Sequence, residues 1–201
     1  MPSETRVVRR ALLAMLCFVS VACDEDASSS GAAPEARVNA VMASRKQTSF
    51  ADLCDVAPSP SANARFAWPA LKEATPAAPK RLRWVNVWAT WCKPCTEELP
   101  LLARTMDTWK KQGHDVELSL ISVDADSDAA KRFVGEQAGV PASLHIADAS
   151  QATTWLTSTG LPSGSAIPVH LVVDQNERIL CARTGGVTED DLARFARVMS
   201  P

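Results

Sequence analysis

Apolar residues in the middle of the chain change from a continuous run to a helical period. Residues 81–88 form an apolar run that is typical of a parallel strand buried on both faces. From 95 to 112, apolar side chains recur every three to four residues and Gly113 follows, which predicts a helix. Pro100 lies inside this helix and predicts a kink, because proline lacks an amide donor and crowds the preceding turn.

Strand and helix patterns then alternate through the rest of the chain. The predicted strands cover 116–123, 142–146, 167–174 and 178–183, and the predicted helices cover 128–139, 151–160 and 189–199. Gln175 and Asn176 form the turn of a hairpin between the last two strands. This order of elements predicts a three-layer α/β fold with a central mixed β-sheet.

The first residues of the chain have a different pattern. Three arginines (Arg6, Arg9 and Arg10) precede an apolar stretch over residues 11–22. That stretch is shorter than the roughly 20 residues that a membrane span requires. A basic start followed by a short apolar stretch predicts a secretory signal peptide over residues 1–22.

The residues that follow predict a lipid anchor and a tether. The letters SVAC at 20–23 resemble a bacterial lipobox, with Ser20 where leucine is preferred. They predict acylation of Cys23; ordinary cleavage near Ala22 or an uncleaved anchor are the alternatives. Residues 24–37 are polar and predict a flexible tether, and one or two short helical turns are predicted within 38–56. We therefore divide the chain into a signal peptide (1–22), a tether with an N-terminal extension (23–62) and a domain (63–201).

Length and charge limit the possible functions. A chain of 201 residues has room for one domain with extensions, and an apolar content of 46% supports a sizeable core. The net charge of -2 gives no reason to expect nucleic acid as a partner.

Two cysteines follow directly after the first predicted strand. Cys92 and Cys95 have the spacing C-x-x-C at the start of a predicted helix, where the helix dipole and free amide groups favour a thiolate on Cys92. We expect Cys92 to be an exposed nucleophile and Cys95 a partly shielded thiol that resolves the mixed disulfide. A zinc site is the alternative, but Cys181 stands alone downstream and no histidine pair has zinc-finger spacing. The pair predicts thiol–disulfide exchange without a cofactor other than the redox-active disulfide itself.

The surrounding residues resemble a known family. Residues 88–100 read WATWCKPCTEELP, which is similar to the active-site signature of the thioredoxin superfamily and, more narrowly, of the membrane-tethered TlpA/ResA-like thioredoxins. The resemblance extends over about 81–201. It implies a thioredoxin fold with an αβ insertion over 128–146.

Residues next to the two cysteines have expected positions in this signature. Trp91 is expected on the surface beside Cys92, and Trp88 in the core. Pro94 fixes the backbone at the start of the helix, where its missing amide hydrogen costs least. Lys93 either favours the thiolate or is a solvated side chain.

The resemblance also implies roles for residues further along the chain. Ile167 and Pro168 match the apolar residue and cis-proline that face the catalytic pair, where the backbone of Ile167 would bind an extended substrate. A trans-proline at the start of a strand is the alternative. Glu98 matches an acidic residue that would handle the proton of Cys95, although the helix dipole alone favours a glutamate in the first turn.

Three other polar residues are assigned less specific roles. Asn86 stands where thioredoxin has a buried aspartate, so proton handling would fall to Glu98 or to water. Glu97 and His170 are expected to be surface or packing residues.

The remaining cysteines suggest a structural disulfide. In an oxidising compartment, Cys54 and Cys181 are left once Cys17 leaves with the signal peptide and Cys23 is acylated. We predict that they pair; two unrelated buried thiols are the alternative.

These observations lead to one main functional hypothesis. The chain is expected to be an exported thiol:disulfide oxidoreductase, anchored by lipid on the periplasmic side of a bacterial membrane. Within the resemblance it would reduce protein cysteines, such as those of apocytochrome c or a copper site, with electrons from a membrane thiol donor. The alternatives are a copper-binding module that uses Cys92, Cys95 and His170, and a lipoprotein that has kept only the fold.

Overall fold

A mixed β-sheet lies at the centre of the described part of the chain, residues 48–57 and 65–200 of a computed structural model. Its strands are β1 Leu82–Trp88, β2 Val116–Ser122, β3 Ser143–His145, β4 Val169–Asp174 and β5 Ile179–Thr184. The order across the sheet is β3-β2-β1-β4-β5. Strand β1 is parallel to β2 and antiparallel to β4, and β4 is antiparallel to β5. The three-layer α/β fold with a mixed sheet is thereby confirmed.

Helices connect and cover these strands. They are α1 Lys93–Lys111, α2 Ser127–Glu136, α3 Ala152–Ser158 and α4 Glu189–Met199, with 3-10 turns at Phe50–Asp52 and Ala149–Gln151. All described residues belong to one compact unit, Lys46–Pro201. The predicted signal peptide, the acylated Cys23 and the tether at 24–37 lie outside the described residues. No helix among the described residues is long and apolar enough to cross a membrane.

Strand register divides the core into two clusters. Trp84, Val172 and Cys181 are register partners across β1, β4 and β5, so their side chains share one face of the sheet. This face packs against apolar residues of α1 and α4. Val85 and Leu171, also partners, lie on the opposite face in a second cluster. Helix α1 therefore lies directly on the face that carries Trp84.

The segment before β1 covers the outer edge of β5. Val56 exchanges two backbone hydrogen bonds with Ala182, at 2.9 and 2.8 Å. The Asp55 carboxylate accepts from the amide of Thr184 at 2.7 Å. A disulfide joins Cys54 to Cys181. Hydrogen bonds and a covalent bond thus hold this segment on the sheet.

Several predicted boundaries were wrong by a few residues. Helix α1 begins at Lys93 instead of 95, because Cys92 is its N-cap. The helix predicted over 128–139 ends at Glu136, and the one predicted over 151–160 is a 3-10 turn followed by α3. The strand predicted from 167 begins at Val169, directly after Pro168, which has no amide hydrogen to donate to a strand partner. The remaining strand ends differ by one residue, and α4 has its predicted bounds.

The hairpin between β4 and β5 depends on one carboxylate. Asp174 Oδ1 accepts from the amides of Asn176 and Arg178 at 2.8 and 2.9 Å, and Oδ2 accepts from Arg178 Nε at 2.7 Å. Burial raises the pKa of Asp174, but these hydrogen bonds outweigh burial and the net effect lowers the pKa below its usual value.

Replacing Asp174 with asparagine should therefore destabilise the fold in a pH-dependent way. The change places an amide donor against Arg178 and should cost about 1–3 kcal/mol at neutral pH. Because the folded-state pKa is lowered, this stabilisation is complete above about pH 4 and is lost as the pH falls through the folded value. Urea unfolding at neutral and acid pH measures the difference between the two proteins. As a control, Asp107→Asn breaks an exposed ion pair with Lys111 and should have a smaller effect. An Asp174→Asn effect that is independent of pH would contradict this account.

Candidate active site

The two cysteines at the start of α1 form a disulfide. Cys92 is the N-cap of the helix, and its Sγ accepts from the amide of Cys95 at 3.3 Å. Pro94 lies in the first turn, where a missing amide hydrogen leaves no helical bond unmade. Cys92 is only 6% exposed and Cys95 is fully buried. Both are less exposed than expected from the sequence, because the disulfide is packed within the core cluster; Cys92 is the one of the two that solvent reaches.

A proline loop lies against Cys92. The Ile167–Pro168 peptide bond is cis, and the Ile167 carbonyl lies 3.7 Å from Cys92 Sγ. The Pro168 carbonyl accepts from the amide of Gly185 at 2.9 Å. The chain after β5 thus holds the loop in place, and the loop presents backbone next to the reactive sulfur.

A shallow groove begins beside this loop. Trp91 is 70% exposed, which is unusual for a large apolar side chain. It borders a groove of about 500 Å³ whose other walls are mostly small or apolar residues, among them Val123, Leu156, Ala166 and Ile167. Trp88, by contrast, is fully buried. An extended peptide that reached Cys92 could place an apolar side chain in this groove.

Lys93 pairs with a neighbouring carboxylate. Its Nζ forms an ion pair with Glu97 one turn further along α1, and both side chains are well exposed. Glu97 is thus a surface residue. The carboxylate offsets the charge that Lys93 would otherwise present to Cys92.

Glu98 is buried below the cysteine pair. It is 5% exposed; its Oε1 accepts from Asn86 Nδ2 at 2.8 Å and its Oε2 from the amide of Val187 at 3.0 Å. It lies three residues after Cys95, on the same side of α1. The glutamate therefore connects α1 with β1 and with the loop after β5.

Two buried polar residues around the site have contacts that the sequence analysis did not predict. His170, expected on the surface or in packing, is fully buried with Nδ1 3.1 Å from Trp84 Nε1 and Nε2 3.4 Å from Glu98 Oε1. The register that pairs it with Asn86 points it at α1. A polar residue inside the apolar run of β4 was the available signal.

Asp124 is the second of these residues. It is 4% exposed, and its carboxylate accepts from the amide of Thr90 at 3.0 Å and from the Thr90 hydroxyl at 2.7 Å. The hydroxyl of Ser122 donates to it as well, at 2.8 Å. Asp124 thereby fixes the turn between β1 and Cys92.

Nothing in the described part of the chain gathers three or more histidine, cysteine, aspartate or glutamate side chains into a possible metal site. His170, the third ligand of the copper hypothesis, directs its nitrogens to Trp84 and Glu98.

The fold and site together define the class of the protein: a thioredoxin fold with a cysteine pair at a helix N-terminus, facing a cis-proline loop. Residues 74–198 match the Redoxin family, and the chain belongs to that family. The resemblance to TlpA/ResA-like thioredoxins is confirmed.

Several known proteins are similar to this chain in sequence or in structure. The thiol-disulfide oxidoreductase ResA of Geobacillus kaustophilus is 27% identical over 118 residues, which cover 59% of this chain and 63% of the relative. ResA of Bacillus thuringiensis is 26% identical with the same coverage. The chain thus spans less than two thirds of the curated relatives it matches. A secreted thiol-disulfide isomerase from Corynebacterium glutamicum has a similar structure, with a TM-score of 0.50 and 25% identity, over 60% of this chain and 71% of that one.

Proposed function

We propose that this protein is a thiol:disulfide oxidoreductase that exchanges its Cys92–Cys95 disulfide with protein cysteines. One observation carries the proposal: the disulfide lies at the N-terminus of α1 with Cys92 Sγ 3.7 Å from the backbone carbonyl of Ile167. A target segment that pairs with the backbone at Ile167 would bring its own sulfur to Cys92.

The proposed exchange proceeds in two steps. The Cys92 thiolate attacks a substrate disulfide, a mixed disulfide forms, and the first substrate sulfur leaves as a thiolate. Cys95 then loses its proton and attacks Cys92 Sγ, which closes the internal disulfide and releases the second substrate thiolate. Two electrons pass from the protein to the substrate, and the reverse sequence regenerates the dithiol.

Several residues would support these steps. The Cys95 amide, 3.3 Å from Cys92 Sγ, and the helix dipole favour negative charge on that sulfur. Glu98 is the proposed acceptor for the proton of Cys95, since it is the carboxylate one turn further along the buried side of α1. Trp91 and the groove beside it would bind an apolar part of the target.

We further propose that the protein works outside the cytoplasm as a reductant. The signal-like residues 1–22 and the lipobox at Cys23 support export and anchoring on the periplasmic side of a bacterial membrane, with 23–62 as tether and extension and 63–201 as the catalytic domain. Anchoring suits a stationary membrane thiol donor and exported targets such as apocytochrome c or copper-site cysteines. Fatty-acid labelling that persists in a Cys23→Ala protein would refute the anchor.

The reduction potential tests the proposed direction. Equilibration with glutathione or thioredoxin, with the fraction of Cys92–Cys95 disulfide measured by mass, should give a value near the low end of the known range. That range runs from about −270 mV for thioredoxin to about −120 mV for a strong oxidant. A value near the upper end would make the protein a disulfide-forming oxidant, and a pair that does not cycle would refute the exchange itself.

A further inference from the structure

A row of polar side chains interrupts the apolar face between the sheet and α1. Asn86, His170 and Arg183 are register partners on β1, β4 and β5. On each strand they lie two residues from Trp84, Val172 and Cys181, and so on the same face of the sheet. Asn86 and His170 are fully buried. Burial of polar side chains costs free energy unless each has a partner, so their contacts indicate what the row does.

Trp84 determines which nitrogen of His170 carries the proton. The indole N–H can only donate, and it lies 3.1 Å from His170 Nδ1, so Nδ1 must be an acceptor. The amide Nδ2 of Asn86 faces the same nitrogen at 3.4 Å. A proton on Nδ1 would point at one or both of these donors. The contacts therefore make Nδ1 the acceptor of the ring and leave the ring N–H at Nε2.

The Glu98 carboxylate lies close to this nitrogen. Nε2 lies 3.4 Å from Glu98 Oε1, longer than a well-formed N–H···O bond, and it has no hydrogen-bond partner within the described residues. The same Oε1 accepts from Asn86 at 2.8 Å. His170 thus brings an uncommitted N–H dipole to a carboxylate that already has two amide donors.

Other charges around the row are paired with each other. Arg183 donates to the two carboxylate oxygens of Asp191 on α4 at 3.1 and 3.3 Å, and to the Gly186 carbonyl at 3.4 Å. Helix α1 contributes Glu98 itself, and β1 contributes the neutral Trp84 and Asn86. Glu98 is therefore the charged group that His170 Nε2 faces.

We propose that His170 is a positioning residue, a ring donor fixed by Trp84 that keeps the Glu98 carboxylate oriented for the proton of Cys95. The inference rests on the exchange reaction proposed above. Glu98 already accepts from Asn86 and from the amide of Val187, so a further donor beside Oε1 acts on the orientation of the carboxylate. In the step itself, the proton of Cys95 passes to Glu98, Cys95 attacks Cys92 Sγ, the mixed disulfide breaks, and the substrate sulfur leaves with the electron pair.

Two replacements of His170 test the contributions of its two nitrogen atoms separately. Asparagine reaches the position of Nδ1 and can still accept from Trp84, but it offers no donor to Glu98. Glutamine reaches the position of Nε2 and keeps that donor. Ser143→Ala, on β3, removes the buried acceptor of Trp88 Nε1 at 3.0 Å and is a matched control for loss of a buried hydrogen bond that involves no residue of the row.

The experiment follows the full-length protein, with Cys92–Cys95 reduced and Cys54–Cys181 left intact, with the aromatic disulfide dithiobis-nitrobenzoate by stopped flow. The Cys92→Ser protein gives the background from the other cysteines. Attack by Cys92 releases one coloured thiolate at a rate that depends on reagent concentration. Resolution by Cys95 releases the second at a rate that does not, and Cys95→Ser, which lacks this phase, identifies it.

The variants should differ only in the second phase. In His170→Asn, resolution should slow about tenfold near pH 6, and the difference from wild type should shrink as the pH rises, because hydroxide can then remove the proton in place of Glu98. His170→Gln and Ser143→Ala should stay within about threefold of wild type, and the first phase should change less than about twofold in every variant. An unchanged resolution phase in His170→Asn, or equal slowing of both phases, would overturn the role of His170. If Cys92 does not react at all, the exchange reaction fails instead.

A measurement on the wild-type protein covers the case in which His170→Asn does not fold. Nitrogen NMR of the His170 ring should show an unprotonated Nδ1 and a protonated Nε2 at neutral pH. A proton on Nδ1 would overturn the proposal.

Discussion

Replacing Cys92 with serine should lower the rate of disulfide exchange by about a thousandfold or more, because a serine hydroxyl neither ionises at neutral pH nor forms a disulfide. Cys92 is the N-cap of α1 and the more exposed member of the pair, whereas Cys95 is fully buried. Reduction of a peptide disulfide at neutral pH measures the loss. Residual activity close to wild type would refute the assignment of Cys92 as the nucleophile.

Cys95→Ser is the matched variant for this experiment. It should preserve the first attack and accumulate a mixed disulfide between Cys92 and the substrate, visible as an added mass that a reducing agent removes. The two variants remove the same internal disulfide, so a difference between them reports the order of the two thiols. Trapping by Cys92→Ser rather than Cys95→Ser would reverse the assigned roles.

Removal of the Cys54–Cys181 disulfide should produce the largest loss of stability. Alanine at both positions should lower the free energy of unfolding by about 3–5 kcal/mol. The two residues are 127 positions apart, so the bond restricts a long loop of the unfolded chain, and Cys181 is fully buried in the cluster below α1 and α4. Urea unfolding, with the Cys92–Cys95 disulfide kept oxidised, measures the difference.

The second disulfide provides the control. Cys92 and Cys95 are only 3 positions apart, so the loop that they close has little entropy to lose. Alanine at both of these positions should therefore destabilise the protein less. Equal losses from the two pairs would show that the long loop is not the source of the stabilisation.

Local patterns were enough to predict the centre of this site. The strand, the C-x-x-C pair and the start of α1 are consecutive in the chain, so periodicity and capping rules define them without knowledge of the rest of the fold. Pro168 was found only through the family resemblance, since no local rule tells a cis-proline from a trans-proline.

The role of His170 depends on contacts that sequence patterns do not reveal. Trp84 and Asn86, its partners on β1, are 86 and 84 positions away, and they meet His170 only through the register between β1 and β4. A shift of one residue in that register would turn His170 to the other face of the sheet. Asp124 is a similar case, because its partner Thr90 lies 34 positions earlier.

The covered edge of β5 limits the backbone pairing that a second copy of this protein could make. An edge strand with free backbone groups is a template onto which a second chain can add, and such addition leads to aggregation. Here Val56 pairs with Ala182, and Phe66 donates its amide to the carbonyl of Glu177 at 2.7 Å, so the chain's own residues occupy part of that template. The segment that carries Cys54 therefore leaves fewer backbone groups on this edge free to pair with a second chain.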